Sequence, residues 1–200
     1  MLGQAAVTIW CDVAPEVREE FDDWHAHEHM PERLSIPGFL RGSRWVNGDT
    51  GCFMLYEAQS EATITAGAYL ERLNHPTPWS RKMMPHHRNM VRGLCRVEAS
   101  FGTALGQALL TVRFSGDPEV VRSLAAMPSR KGLVAAHLLR NIAHPSAQTT
   151  EQKLRGGDAA PDWIALVSGY SAEAVARVGR ELDLPGAVAG TYRLAYVFSR

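Results

Sequence analysis

The chain has little cysteine, no run of about 18 apolar residues and no surplus of either charge, and each shortage closes off a class of function. Its three cysteines, Cys11, Cys52 and Cys95, are odd in number, far apart and set in apolar strand-like runs without a C-x-x-C pair. They read as reduced core residues, not as a disulfide frame or a zinc site. No apolar stretch is long enough to span a bilayer as a helix. The opening Met1-Leu-Gly-Gln-Ala-Ala lacks the basic start and apolar core of a leader, so the expected location is the cytoplasm. Lysine and arginine together number 21 and aspartate and glutamate 21, which leaves no net field to draw the protein onto nucleic acid or anionic lipid. A Gly-rich phosphate loop, a nucleophile elbow and a haem-ligand context are also missing. What remains is an ordinary globular composition, 46% apolar and 21% charged, over 200 residues. That length makes one large domain or two of about 100 residues. The expected partner is a small organic ligand, not nucleic acid or a membrane, and self-association stays open.

A repeat organises the chain. Pro15-Glu-Val-Arg returns as Pro118-Glu-Val-Val, each after an alternating apolar strand. Met30-Pro-Glu-Arg-Leu-Ser-Ile-Pro-Gly38-Phe-Leu returns, two residues shorter, as Met127-Pro-Ser-Arg-Lys-Gly132-Leu-Val. Two matched pairs in register, about a hundred residues apart, point to a tandem duplication. Each half reads as strand, helix, strand, strand, helix, strand: 5–13, 15–30, 38–47, 51–59, 61–73 and 90–100, then 107–115, 117–126, 132–143, 161–169, 171–183 and 190–199. Strands rest on alternation and helices on 3.6-residue spacing, with Asp117-Pro118 and Ser171 as helix starts. This order is the split β-α-β, or ferredoxin-like, unit. The expected class is therefore α+β, with one unit over 1–103 and a second over 104–200. A four-stranded antiparallel sheet with helices on one face must bury its other face, and the second copy supplies the cover. Two sheets packed face to face in one barrel-like body follow. Two stretches read as loops. One is Leu73 to Asn89, with three prolines, which could cover a pocket; the other is Ala143 to Pro161, which reads as a mobile excursion.

The chemically richest segment is Trp24-His-Ala-His-Glu-His-Met-Pro-Glu-Arg33, three imidazoles and two carboxylates in ten residues. On a wheel of 100° per residue, Val17, Phe21 and Trp24 share a face and Glu28 falls in the middle of that apolar stripe. His25 and His29 flank it on one side and His27 on the other. A carboxylate turned inward beside an imidazole has the shifted titration that acid–base sites use. The competing reading is a helix fraying before Pro31 with these side chains in water. A metal is the other competitor, because histidines four apart on a helix suit two ligands. The known signatures do not fit: His27-Glu28 would begin H-E-x-x-H, but Pro31 stands at its second histidine, and the weak cupin echo His25-x-His27 lies in helical sequence. No metal and no other cofactor is expected.

Phe21-Asp-Asp-Trp24-His25, Glu28-His29-Met-Pro31, Leu34, Ile36-Pro-Gly-Phe39 and Arg44 together resemble the motif of EthD-like proteins in the dimeric α/β barrel superfamily, here in a tandem, fused form. The resemblance implies a fold and a cleft between helix and sheet, not one chemistry: relatives include isomerases, monooxygenases and haem-dependent enzymes. It marks His29 as the cleft histidine, with Glu28 and Pro31 matching and His25 where many relatives carry Tyr. The second half ends its corresponding helix Ala125-Ala126-Met127-Pro128, without His or Glu. One equipped pocket per chain follows.

The candidate catalytic set is thus His29, Glu28 and His25. Trp24 and Arg44 are candidates for shaping the substrate site; since Arg41 and Arg44 lie on opposite faces of a strand, at most one of them reaches it. Trp79, Arg81, His86 and His87 could close an aromatic and cationic lid over an anion, or form a solvated loop held by prolines. His137, in the apolar run Leu133 to Leu139, reads as a satisfied core histidine. The expected function is a small-molecule enzyme of isomerase, lyase or cofactor-free oxygenase type in the degradation of a small organic compound. A non-catalytic ligand-binding or assembly protein of the same fold is the alternative.

Overall fold

Along the first strand, β1 (Ala5–Asp12), Ala5, Val7, Ile9 and Cys11 face one way and Ala6, Thr8 and Trp10 the other, and all seven are buried. A strand buried on both faces must lie between two layers. The structure is a computed structural model that describes residues 1–65, 67–116, 121–142, 148–156, 159–182 and 184–199. Its further strands are β2 (Phe39–Asn47), β3 (Gly51–Ala58), β4 (Arg88–Phe101), β5 (Ala108–Phe114), β6 (Leu133–Asn141), β7 (Trp163–Gly169) and β8 (Val188–Ser199), each end within two residues of expectation. Asp117 and Pro118, expected to start the helix after β5, and part of the Ala143–Pro161 excursion (143–147 and 157–158) lie outside the described residues.

All eight strands join, antiparallel to their neighbours, in one closed barrel ordered β1-β3-β2-β8-β5-β7-β6-β4. Each half keeps the split β-α-β order, β4-β1-β3-β2 and β6-β7-β5-β8. Strand length closes the circle. β4 has 14 residues; Arg88 to Arg96 pair with β1, and Cys95 to Phe101 with β6 of the other half. β8 does the same between β5 and β2, changing partners at Arg193. The two sheets therefore meet edge to edge as well as face to face, which leaves no free sheet edge among the described strands.

Side chains fill the barrel: Trp10, Trp45, Phe53, Leu55, Leu109, Leu139, Ile164 and Leu166 form its core. Trp10 Nε1 donates to Thr111 Oγ1 of the opposite half at 3.1 Å. These side chains pack the lumen, and the cavity described below lies outside the barrel, under the helices. The helices form two further cores. On the first half these are α1 (Arg18–Trp24), α2 (Met30–Leu34), α3 (Glu61–Thr65), α4 (Gly67–Asn74) and α5 (Pro78–Met83). On the second they are α6 (Val121–Ala126) and α8 (Ala172–Glu181), while α7 (Thr150–Arg155) leaves its own half. The stretch 73–89 is thus not all loop: Pro78 starts α5, and Thr77 Oγ1 accepts from Ser80 N at 3.0 Å as its cap.

His137 is buried, and its Nδ1 lies 3.0 Å from Ser100 Oγ. Burial first, then nearby positive charge, lowers its pKa to about 3. The three cysteines are buried thiols. No helix among the described residues is long and apolar enough to cross a membrane.

Candidate functional site

Helical turns run without a break from Pro15 to Leu34, and their middle is not α-helical. Between α1 and α2 lies a π-helical turn, His25–His29, after which Met30 N donates back to the His25 carbonyl. The next residue is Pro31, which has no N–H for the Ala26 carbonyl and whose ring crowds the preceding turn. The hydroxyl of Tyr196, on β8, donates to Ala26 O at 3.4 Å instead. The wider turn resets the wheel. Trp24 and His29, five residues apart, would lie about 140° apart on a regular helix. Here their rings pack against each other at a tilt of 34°, with centroids 4.5 Å apart.

The turn thus points His25 and His29 into the layer between helix and sheet. His25 Nε2 lies 2.9 Å from the Tyr56 hydroxyl on β3, and His25 and His29 are 5.8 Å apart between ring centroids. His87, from the turn before β4, packs edge-on against Phe21 and Trp24, and its Nδ1 donates to the Met84 carbonyl at 3.1 Å. The Nδ1 atoms of His25 and His29 are buried without a hydrogen-bond partner. Burial pushes both pKa values well below the usual histidine value, helped by Arg44, His87 and Arg33 at His25 and by Arg33, His25, His87 and Arg155 at His29. Both rings are neutral at neutral pH. No three His, Cys, Asp or Glu side chains among the described residues are placed to hold a metal ion.

His29 lines a small cavity of about 20 Å³, roughly room for one water. Tyr56, Phe39, Met54 and Met84 form its apolar and aromatic side, and Tyr69, Arg33, Arg92, Arg155 and Glu151 its polar side. Arg33 is buried and divides its guanidinium, Nη1 donating to Glu32 at 3.2 Å and Nη2 to Glu151. Burial opposes the Arg33 charge, but Glu151, Tyr69 and Glu32 outweigh it and raise its pKa. The other Glu151 oxygen lies 3.7 Å from Arg155 Nη1. Arg92 Nη2 donates to the Tyr69 hydroxyl at 3.0 Å. Among the described lining residues, three guanidinium groups stand with one carboxylate.

Glu151 and Arg155 belong to α7, in the chain between β6 and β7 of the second half. The segment expected to be a mobile excursion crosses to the first half and closes the cavity there. Thr149 and Gln152 cap α7 reciprocally, with Thr149 N donating to Gln152 Oε1 at 3.0 Å and Gln152 N to Thr149 Oγ1 at 3.3 Å. Thr150 N donates to Asn74 Oδ1 at 3.1 Å, and Arg92 N to Ala159 O at 2.8 Å.

The residues singled out from sequence divide accordingly. His29 and His87 line the cavity; His25 and Trp24 pack behind them. Glu28 does not turn inward beside His29. Its Oε1 accepts from Thr77 Oγ1 at 2.6 Å, Trp24 Nε1 at 3.2 Å and Ser80 Oγ at 3.4 Å, so it ties α5 to the first helix. The π turn is the reason, since the extra residue rotates Glu28 to the edge of the stripe. Arg44 is buried beneath α1 and paired with Asp22, not in the cavity lining. Arg41 pairs with Glu57 at 2.7 Å, also outside the lining. Trp79 donates to Glu20 at 3.2 Å on the outer side of α5; His86 is half-buried and Arg81 exposed, and none of the three reaches the cavity. Sequence reading missed Arg33, Tyr56, Tyr69, Arg92, Glu151 and Arg155. For α7 a signal existed, the capping box Thr149-Thr-Glu-Gln152.

No family model and no curated protein matches the chain. Solved structures do match. One described as an anthrone oxidase-like protein is 13% identical with a TM-score of 0.63, over 98% of this chain and 93% of that one. A putative monooxygenase from Fusobacterium nucleatum is 8% identical with a TM-score of 0.58, over 100% and 96%. One from Lactobacillus acidophilus is 11% identical with a TM-score of 0.56, over 98% and 96%. At these identities the likeness is one of fold. That fold is the dimeric α/β barrel, an α+β architecture with two ferredoxin-like β-α-β-β-α-β arrangements closed into one barrel within a single chain.

Proposed function

We propose that the protein is a small-molecule enzyme of EthD-like type, in which His29, as a neutral imidazole, takes a proton from an acidic carbon or oxygen of a substrate in this cavity and returns it. The observation that carries the reading is the buried Nδ1 of His29, which has no partner in a wall where Arg33 stands four residues away. An unsatisfied buried ring nitrogen destabilises a fold, and its retention leaves a neutral proton acceptor beside guanidinium groups that stabilise an anion. The guanidinium groups of Arg33 and Arg92 face the negative charge that forms on the substrate. His25, held by Tyr56, and Trp24 fix the orientation of His29. Isomerisation, lyase chemistry and cofactor-free oxygenation all begin with this step.

Phenylpyruvate is a suitable probe, because its benzylic carbon is acidic and two outcomes of its deprotonation are visible: tautomer exchange and uptake of O₂ by the enolate. Deuterium wash-in from D₂O at that carbon is expected above the spontaneous rate, and His29→Gln should reduce it about 100-fold or more. Wild-type protein that binds the probe, seen as shifts of the His29 ring resonances, without catalysing exchange would move the assignment to a ligand-binding protein.

A further inference from the structure

We propose that Glu151 occupies the subsite of a substrate carboxylate, so that α7 is a lid released by the anion that takes its place. The ligand class is a small organic carboxylate with an apolar or aromatic body. This inference rests on the reading of the cavity as a small-molecule site.

A cavity of about 20 Å³ admits no organic substrate, so part of its wall must move. Most of the wall is fixed. His29 and Arg33 stand on the helix that buries Phe21, Trp24, Met30 and Leu34, and Tyr56 lies inside the barrel sheet. α7 differs: it is a six-residue helix supplied by the other half, and it plugs the cavity with Glu151. Both Glu151 oxygens face cations, Arg33 and Arg155, and the side chain is 3% exposed.

The two arginines respond differently when α7 withdraws. Arg155 travels with Glu151, four residues away on the same helix, and keeps its partner. Arg33 stays behind with Nη1 still on Glu32 and Nη2 without its partner. Taking one of its two carboxylates from Arg33 leaves a guanidinium nitrogen unsatisfied, which is unfavourable, so the lid stays shut against neutral compounds. An incoming carboxylate replaces the lost partner and removes that obstacle, which couples opening to binding of the correct charge. Arg33 also follows His29 by one helical turn. A carboxylate on Arg33 therefore sets the adjoining carbon against the imidazole, and the apolar body meets Tyr56, Phe39 and Met54.

The test compares benzoate with benzamide, an uncharged compound of the same shape. In wild-type protein benzoate should perturb the His29 resonances and speed amide hydrogen exchange in residues 149–156, while benzamide does neither. Glu151→Gln weakens the plug and raises the competent fraction, so benzoate affinity should rise about tenfold or more, with benzamide still failing to perturb the His29 resonances. Thr149→Ala removes the α7 cap without touching the ion pair and should tighten benzoate in the same direction by a smaller factor, which keeps the test usable if the Gln variant fails to fold. Benzamide binding as well as benzoate, or benzoate affinity unmoved by both substitutions, overturns the lid and its carboxylate class while the cavity remains a ligand site. Silence at His29 from both compounds in both variants overturns the inference together with the proposed function.

Discussion

Trp24 and His29 lie ring against ring, 4.5 Å between centroids, although five residues separate them. The contact exists because the π turn over His25–His29 inserts one residue into an otherwise regular helix. Such turns persist where the side chain they re-aim has a use, since their geometry is poorer than that of an α-helix.

Deleting Ala26 should restore regular helix between Trp24 and Met30 and swing His29 away from the cavity. The expected result is a folded protein, within about 1 kcal/mol of the original stability, that has lost phenylpyruvate exchange. Circular dichroism with urea titration checks the first part and the deuterium assay the second. Retained exchange in the deletion variant would show that the turn does not set the site.

Glu28 behaves in this structure as an anchor for α5. Replacing it by Ala leaves Thr77, Ser80 and the Trp24 indole without their shared acceptor and should destabilise the protein by about 1–3 kcal/mol in urea titration. The His29 ring resonances should stay where they are. A variant of unchanged stability but displaced His29 resonances would restore Glu28 as its partner.

Among the described residues, three of the four buried imidazoles make stability depend on pH. His25 and His29 have pKa values well below the usual 6.5, and that of His137 falls to about 3. As pH drops through 6.5 the unfolded chain takes up protons at these rings and the folded chain does not. Stability is therefore full above pH 6.5 and is lost progressively below it, by up to about 4 kcal/mol per pH unit if all three stay neutral. Urea titrations between pH 7 and pH 5, above most carboxylate titration, measure the slope. His29→Asn should reduce it by about a third; an unchanged slope would mean that His29 accepts its proton in the folded state.

Much of the barrel was legible because alternation is a local property. The β1 pattern Ala5 to Cys11 and the β7 pattern Trp163 to Gly169 each announce a strand within a few residues. The site was legible only in part. His29 and His25 stood out by residue type, yet the 100° wheel put Glu28 in the middle of the apolar stripe because it carries no term for a π turn, and Pro31 marked a helix end when in fact the helix passes through it. Arg33 and Glu151 are 118 residues apart, and only the closed barrel brings them together. No periodicity in either segment encodes that meeting. Glu151 lay in a stretch that composition alone made a loop.

The two halves should not separate. Fragment 1–103 ends after β4 and would expose Trp10, Trp45 and Phe53 on one sheet face and the unpaired edges of β2 and β4. It is expected to elute as a dimer or larger species, or to aggregate, in size-exclusion chromatography. The whole chain should unfold in one transition followed by both Trp fluorescence and far-UV circular dichroism. A monomeric, folded fragment would contradict this.

The placement of α7 has a consequence for symmetry. Two identical subunits related by a twofold must treat each other alike: if one lends a helix to its neighbour's cavity, it receives the same helix in return, and every residue serves as donor and host at once. A single chain is released from that reciprocity. Here the first half can keep imidazoles on its leading helix while the second carries Ala125, Ala126 and Met127 at the matching turn and extends Glu151 across instead. Fusion lets the first half carry the buried imidazoles and the second the helix that covers their cavity, a division that a homodimer of the same fold could not encode.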